Sequence, residues 1–143
     1  MPPICRTCRD SATGLPRIRT PKNICDFTIY KSPILIKVEL KSSSAKSISL
    51  DNKIIKKHQY EGLEKINNKY PDIYCGFIFN FYNYDNQTYF VNIKDFMRFL
   101  ETTDRKSIPL DHCKEVGIEI ENKIIRTRYK YDIEKLIKDL IPF

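Results

Sequence analysis

Pro33-Ile34-Leu35-Ile36-Lys37-Val38-Glu39-Leu40-Lys41 decides the fold of this chain. Apolar residues recur at every second position, so an extended strand would carry Ile34, Ile36, Val38 and Leu40 on one face and Lys37, Glu39 and Lys41 on the other. Glu39 and Lys41 are then neighbours. The run before it, Cys25 to Tyr30, alternates too, with Cys25, Phe27 and Ile29 on one face and Asp26, Thr28 and Tyr30 on the opposite one. Lys31-Ser32-Pro33 reads as a turn, and a hairpin through it would bring Asp26 near Glu39. Two carboxylates and a lysine on one sheet face suit a hard divalent cation and a phosphate, as metal-assisted phosphodiester hydrolysis requires. Glu-x-Lys alone is weak, because the solvent face of many strands carries it by chance.

A helix is expected from Ile54 to Lys69, where Ile54, Ile55, Leu63 and Ile66 fit a helical stripe. Gln59 falls on that stripe between Ile55 and Leu63. A glutamine facing inward needs a hydrogen-bond partner or loses about 1–3 kcal/mol on desolvation. A site beneath the helix would supply the partner; a backbone group would serve a purely structural glutamine equally well.

The remaining chain reads as strands mixed with helices. Residues 1–22 contain Pro2, Pro3, Gly14, Pro16 and Pro21 and read as an irregular segment, leaving residues 23–143 as a single domain. Ser42 to Ser47 reads as a polar loop. Ile73–Tyr82 and Thr88–Ile93 form a hairpin around Tyr84-Asp85-Asn86-Gln87. Lys94–Glu101 is a short helix with Phe96, Phe99 and Leu100 inward, Asp111–Val116 a helical turn ended by Gly117, and Ile133, Leu136, Ile137 and Leu140 stripe a final helix. With no internal repeat, this is an α/β fold, a mixed sheet flanked by helices.

The 143 residues carry a formal charge of +7, which favours a polyanionic partner. No apolar run has the length of a spanning helix and no signal-peptide pattern is present, so a soluble, cytoplasmic protein is expected. Five cysteines without such a signal are expected to be reduced thiols. Cys5 and Cys8 have the spacing of half a zinc site but lack a second such pair. In Lys123 to Lys130, alternation places Arg126, Arg128 and Lys130 on one face, where they can grip phosphates or simply guard a strand edge. Nine Tyr and eight Phe, with no Trp, read mostly as packing residues; Tyr82, Tyr84 and Tyr129 are the candidates for stacking on unpaired bases.

In order along the chain, Asn23-Ile24-Cys25-Asp26-Phe27, Val38-Glu39-Leu40-Lys41-Ser42-Ser43, Ser47-Ile48-Ser49-Leu50, His58-Gln59, Arg105-Lys106-Ser107-Ile108-Pro109 and Arg126-Thr127-Arg128-Tyr129-Lys130-Tyr131-Asp132 resemble segments of the RecU-type Holliday junction resolvases, especially their phage and prophage relatives. Those enzymes belong to the PD-(D/E)xK nuclease superfamily. The resemblance runs from about Thr20 to the C-terminus and implies a restriction-endonuclease-like fold. It implies Asp26 and Glu39 as Mg²⁺ or Mn²⁺ ligands, the Leu40 carbonyl as a further one, Lys41 as the catalytic lysine and Gln59 as the glutamine behind the site. It also implies a homodimer that cuts four-way DNA junctions in a bacterial or phage-infected cell. A nuclease for another DNA structure and a non-catalytic DNA-binding relative are the alternatives. Members of the family usually carry an N-terminal helix with a glutamate near the metal, and the cellular enzymes a stalk. The 25 residues before Asp26 hold Asp10 but no glutamate, and no stalk is evident in the sequence.

Overall fold

The computed structural model describes residues 4–9, 16–18, 25–125 and 128–140. In chain order the elements are β1 (Ile4–Arg9), β2 (Pro16–Ile18), β3 (Phe27–Lys31), β4 (Ile34–Ser43), β5 (Ser47–Ser49), α1 (Lys57–Lys69), β6 (Ile73–Phe81), β7 (Gln87–Asn92), α2 (Ile93–Thr102), β8 (Ser107–Pro109), α3 (Leu110–Val116), β9 (Ile118–Glu119), β10 (Asn122–Ile125), β11 (Arg128–Tyr131) and α4 (Ile133–Leu140).

Five strands form the central sheet in the order β3-β4-β6-β7-β9. The two-residue turn Ser32-Pro33 closes the β3–β4 hairpin, with Phe27 opposite Val38 and Lys31 opposite Ile34. β4 then runs parallel to β6 from Leu35 beside Ile73 to Ser43 beside Phe81. A parallel joint requires a crossover, and β5 and α1 supply it. The result is a mixed sheet flanked by helices, consistent with the restriction-endonuclease-like architecture.

Both faces of the sheet are covered, which explains why β6 reads as a nearly continuous apolar run rather than an alternating one. On one face Cys75, Phe77, Phe79 and Phe81 pack with Leu63 of α1 and Phe96 and Phe99 of α2. The Phe77 and Phe96 rings lie 4.6 Å apart between centroids. On the other face Ile36, Val38, Ile78 and Phe90 meet Leu136 and Ile137 of α4. Gly76 keeps β6 and β7 close, since a Cβ there would lie 2.2 Å from the Val91 carbonyl oxygen.

Several sequence expectations are corrected. The helix begins at Lys57 rather than Ile54. Asp51 accepts from the Lys53 amide, and Asn52 from the Lys57 amide, so local side-chain bonds hold a turn where the apolar stripe suggested helix. Ile55 is buried in that turn while Ile54 is 45% exposed. Cys25 packs against the Phe77 side of the sheet rather than sharing Phe27's face, because Cys25 and Asp26 form a bend before β3. The short strands β5 and β8 pair antiparallel, Ile48 opposite Ile108, an association the sequence reading did not contain. Within the segment read as irregular, β1 and β2 pair antiparallel, with Ile4 opposite Ile18.

The basic run near the C-terminus folds back on itself. β10 and β11 are antiparallel partners, Lys123 opposite Lys130 and Ile124 opposite Tyr129. Arg128 and Lys130 do share one face, but their companion on β10 is Lys123; Arg126 lies outside the described residues.

Candidate active site

Glu39 stands on the side of β4 facing α1, level with Phe77 of β6, and is only 4% exposed. The alternation that puts Ile36 and Val38 beneath α4 forces Glu39 and Lys41 to the opposite side, where the helices cover them. The expected solvent face is thus a covered one. A buried carboxylate must be bonded or neutralised, and Glu39 is both. Its Oε2 accepts from the Asp26 backbone N–H at 3.1 Å. Its Oε1 accepts from Gln59 Nε2 at 2.6 Å and lies 3.7 Å from Lys41 Nζ.

Asp26 reaches this point because the ladder between β3 and β4 ends at Phe27 and Val38. Beyond it, the Asp26 side chain substitutes for a strand: Oδ2 accepts the Leu40 backbone N–H at 3.0 Å. In an extended strand a residue's N–H and C=O leave by the same edge. The Leu40 carbonyl therefore leaves toward the edge where Asp26 sits. Gln59 occupies the first turn of α1, and its two ends do different work. Oε1 accepts from the Lys56 N–H at 3.1 Å, closing the helix start, while Nε2 holds Glu39.

Burial pushes the Glu39 carboxyl above its ordinary range, and the neighbouring Asp26 charge adds to this; Lys41 and the Asp26 N–H pull the other way. Such a pair is electrostatically poised for a cation. The donor set narrows the choice. Among the described residues no cluster of three His, Cys, Asp or Glu forms, so the protein can offer two carboxylates and a carbonyl. Oxygen ligands in that number fit Mg²⁺ or Mn²⁺, which accept water in the remaining positions, and do not fit zinc's preference for nitrogen and sulfur.

The structure thus brings Asp26, Glu39, Leu40, Lys41 and Gln59 into one cluster. The basic residues Arg128 and Lys130 lie elsewhere, exposed on β11. Sequence reading missed the contributions of the Asp26 and Leu40 amides, for which no side-chain pattern exists. It also missed a cleft of about 470 Å³ on the α4 side, lined in part by Phe27, Leu40, Lys41 and Tyr131. Cys5 and Cys8 have no described side chains, while Cys75 and Cys113 are buried free thiols, Cys113 pushed up to about 12 by desolvation. Phe77, Phe79, Phe81, Phe90, Phe96 and Phe99 pack in the core, while the stacking candidates Tyr82, Tyr84 and Tyr129 are at least 37% exposed. Among the described residues no helix is long and apolar enough to cross a membrane.

Known proteins match this chain over most of its length. A family model described as Recombination protein U matches residues 18–135. The SPbeta prophage-derived uncharacterized protein YotM of Bacillus subtilis (strain 168) is 34% identical over 132 residues, covering 84% of this chain and 67% of that protein. The Holliday junction resolvase RecU of Mycoplasmopsis pulmonis (strain UAB CTIP) is 36% identical over 100 residues, covering 70% of this chain and 58% of that protein. The chain thus spans under two thirds of the resolvase's length.

Proposed function

Because the chain belongs to the Recombination protein U family, we propose that it is a divalent-metal-dependent endodeoxyribonuclease acting on branched DNA, with the four-way Holliday junction as its preferred substrate. The observation that carries this reading is the convergence of Asp26, Gln59 and Lys41 on the buried Glu39 carboxylate.

Each residue has a role that its geometry supports. Asp26 and Glu39 would hold the metal, with the Leu40 carbonyl as a third oxygen. Bound there, Mg²⁺ or Mn²⁺ supplies Lewis acidity to the scissile phosphate and to the attacking water. Lys41, beside Glu39 and largely shielded from solvent, orients that water and offsets the negative charge that builds at phosphorus. Gln59 acts through Glu39, holding the carboxylate in one orientation from the rigid start of α1. Arg128 and Lys130 of β11, with Arg126 beside them in sequence, contribute phosphate contacts that position the DNA.

A homodimer is part of the proposal, since a four-way junction requires two symmetric nicks and a twofold dimer presents two sites. DNA recombination and repair in the cytoplasm of a bacterial or phage-infected cell is the setting such an activity implies.

Cleavage of four-way, flap and linear DNA, compared side by side with and without Mg²⁺, tests the reading. Junction-selective cutting that needs the metal is the expected result. Equal cutting of all three would replace the resolvase by a general nuclease, and junction binding without cutting by a non-catalytic DNA-binding protein.

A further inference from the structure

The β10–β11 hairpin has two chemically opposite faces. Its register puts Lys123, Arg128 and Lys130, with Ile125, on one side and Asn122, Ile124, Tyr129 and Tyr131 on the other. On the second side Ile124 is 62% exposed, Tyr129 44% and Tyr131 39%. A lone two-stranded ribbon gains little from displaying large apolar groups to water, and contiguous exposed apolar surface marks a contact site.

The base of the ribbon is anchored. Asn86, 2% exposed at the β6–β7 turn, donates to Asn122 Oδ1 at 3.0 Å and to Tyr131 Oη at 3.2 Å, and its carbonyl accepts from Asn122 Nδ2 at 3.1 Å. Tyr131 also lines the 470 Å³ cleft that Leu40 and Lys41 border, with Phe27, 54% exposed, among its other walls. Tyr131 therefore belongs both to the exposed face of the hairpin and to a cleft that borders β4.

We propose that this hairpin is a wedge for branched DNA, its Ile124–Tyr129–Tyr131 face stacking on unpaired nucleobases and its Lys123–Arg128–Lys130 face holding phosphates of an adjoining arm. The DNA partner is taken from the nuclease reading above, on which the proposal rests. Nucleobases suit the apolar side because each offers a π-face to an aromatic ring, and only where pairing is interrupted are those faces free. Charge complementarity selects the occupant. The ribbon that exposes these apolar groups carries three cations on its reverse face, and DNA supplies anions to that basic side, which a second copy of the same basic ribbon does not.

The test measures binding in EDTA, so that cleavage plays no part. The probes are a four-way junction with 2-aminopurine at the branch point and a linear duplex of the same sequence. Wild type should alter the aminopurine fluorescence, and the exposed pair Ile124→Ala/Tyr129→Ala should abolish that change while leaving the thermal melt and duplex affinity intact. Junction affinity should fall about 5- to 150-fold, the range for one lost base stack. Lys123→Ala/Lys130→Ala should instead weaken both probes and lower the salt slope by about one per residue. An unchanged fluorescence with wild type, or full junction preference in the Ile124/Tyr129 variant, overturns the wedge. Conversion of a dimer to monomer by that variant in sedimentation assigns the face to a second copy and overturns it too. Metal-dependent cleavage by wild type, assayed separately, keeps the two claims apart: stacking without cutting retires the nuclease, and cutting with unaltered preference in the variant retires the wedge.

Discussion

Among the described residues, the polar clusters centred on the buried side chains of Asn86 and Glu39 are satisfied in different ways. Around Asn86, neutral amides and hydroxyls close on each other: Asn80 donates to Asn86 and Thr88, Thr88 to the Asn86 carbonyl, and Asn86 to Asn122 and Tyr131. Around Glu39, an acid raised by burial faces a second acid across a shared backbone edge, with a single lysine close by. Closed neutral networks fix one conformation. A cluster of two acids and one lysine keeps a demand for positive charge, and that demand is what suits it to a cation. Position in the fold matches the difference, since the first cluster ties a hairpin to the sheet and the second sits where the β3–β4 ladder stops.

The contrast can be broken by substitution. Glu39→Ala should reduce cleavage by more than about 10³-fold, over 4 kcal/mol of activation free energy, while junction binding in EDTA stays measurable. Lys41→Ala should slow single-turnover cleavage about 10²–10³-fold at saturating protein, as expected for a donor aimed at developing charge. A defect that added protein rescues would instead make Lys41 a binding residue. Asn86→Ala belongs to the other cluster and should cost about 2–3 kcal/mol in urea unfolding, because Asn80 and Asn122 lose partners in a buried setting. Its single-turnover cleavage rate at saturating protein should be near wild type.

Gln59→Leu sharpens the comparison. It removes the bond to Glu39 and the closure of α1, and a loss of about 10–100-fold in rate is expected, as for outer partners of metal ligands. Wild-type kinetics together with a wild-type melt would make Gln59 a core residue only. The smallest effect concerns pH. Glu39 is raised above its unfolded value, so the folded state binds its proton more tightly. In EDTA this group's contribution lowers stability as pH rises from the ordinary carboxylate range through the raised value. Mg²⁺ should raise Tm above that window and do little below it. An equal Mg²⁺ effect on both sides would disconnect the ion from Glu39.

Much of the site was legible because it lies on one hairpin and one helix turn. The period-two run from Ile34 to Lys41 gave the strand, the side shared by Glu39 and Lys41 and the proximity of Asp26, though not the covering of that side, and the helical phase of Gln59 pointed it inward. Errors arose where local hydrogen bonding overrode periodicity. The Asp51 and Asn52 side chains hold a turn at Ile54 and Ile55, and the Cys25-Asp26 bend reverses the face assigned to Cys25. From Lys123 to Lys130 no glycine or proline marks a reversal, so an alternating run reads as one strand. Asn86 and Asn122 were invisible as a network because asparagine in sequence signals a turn, not the long-range partner it finds.

The Leu40 amide has a practical consequence. It donates to the Asp26 carboxylate rather than to a neighbouring strand, so its proton sits on the candidate site as a built-in reporter. In a ¹⁵N-labelled sample its chemical shift should move when Mg²⁺ is titrated. Ligand occupancy could thus be followed at one backbone resonance, with no DNA present and no chemistry taking place.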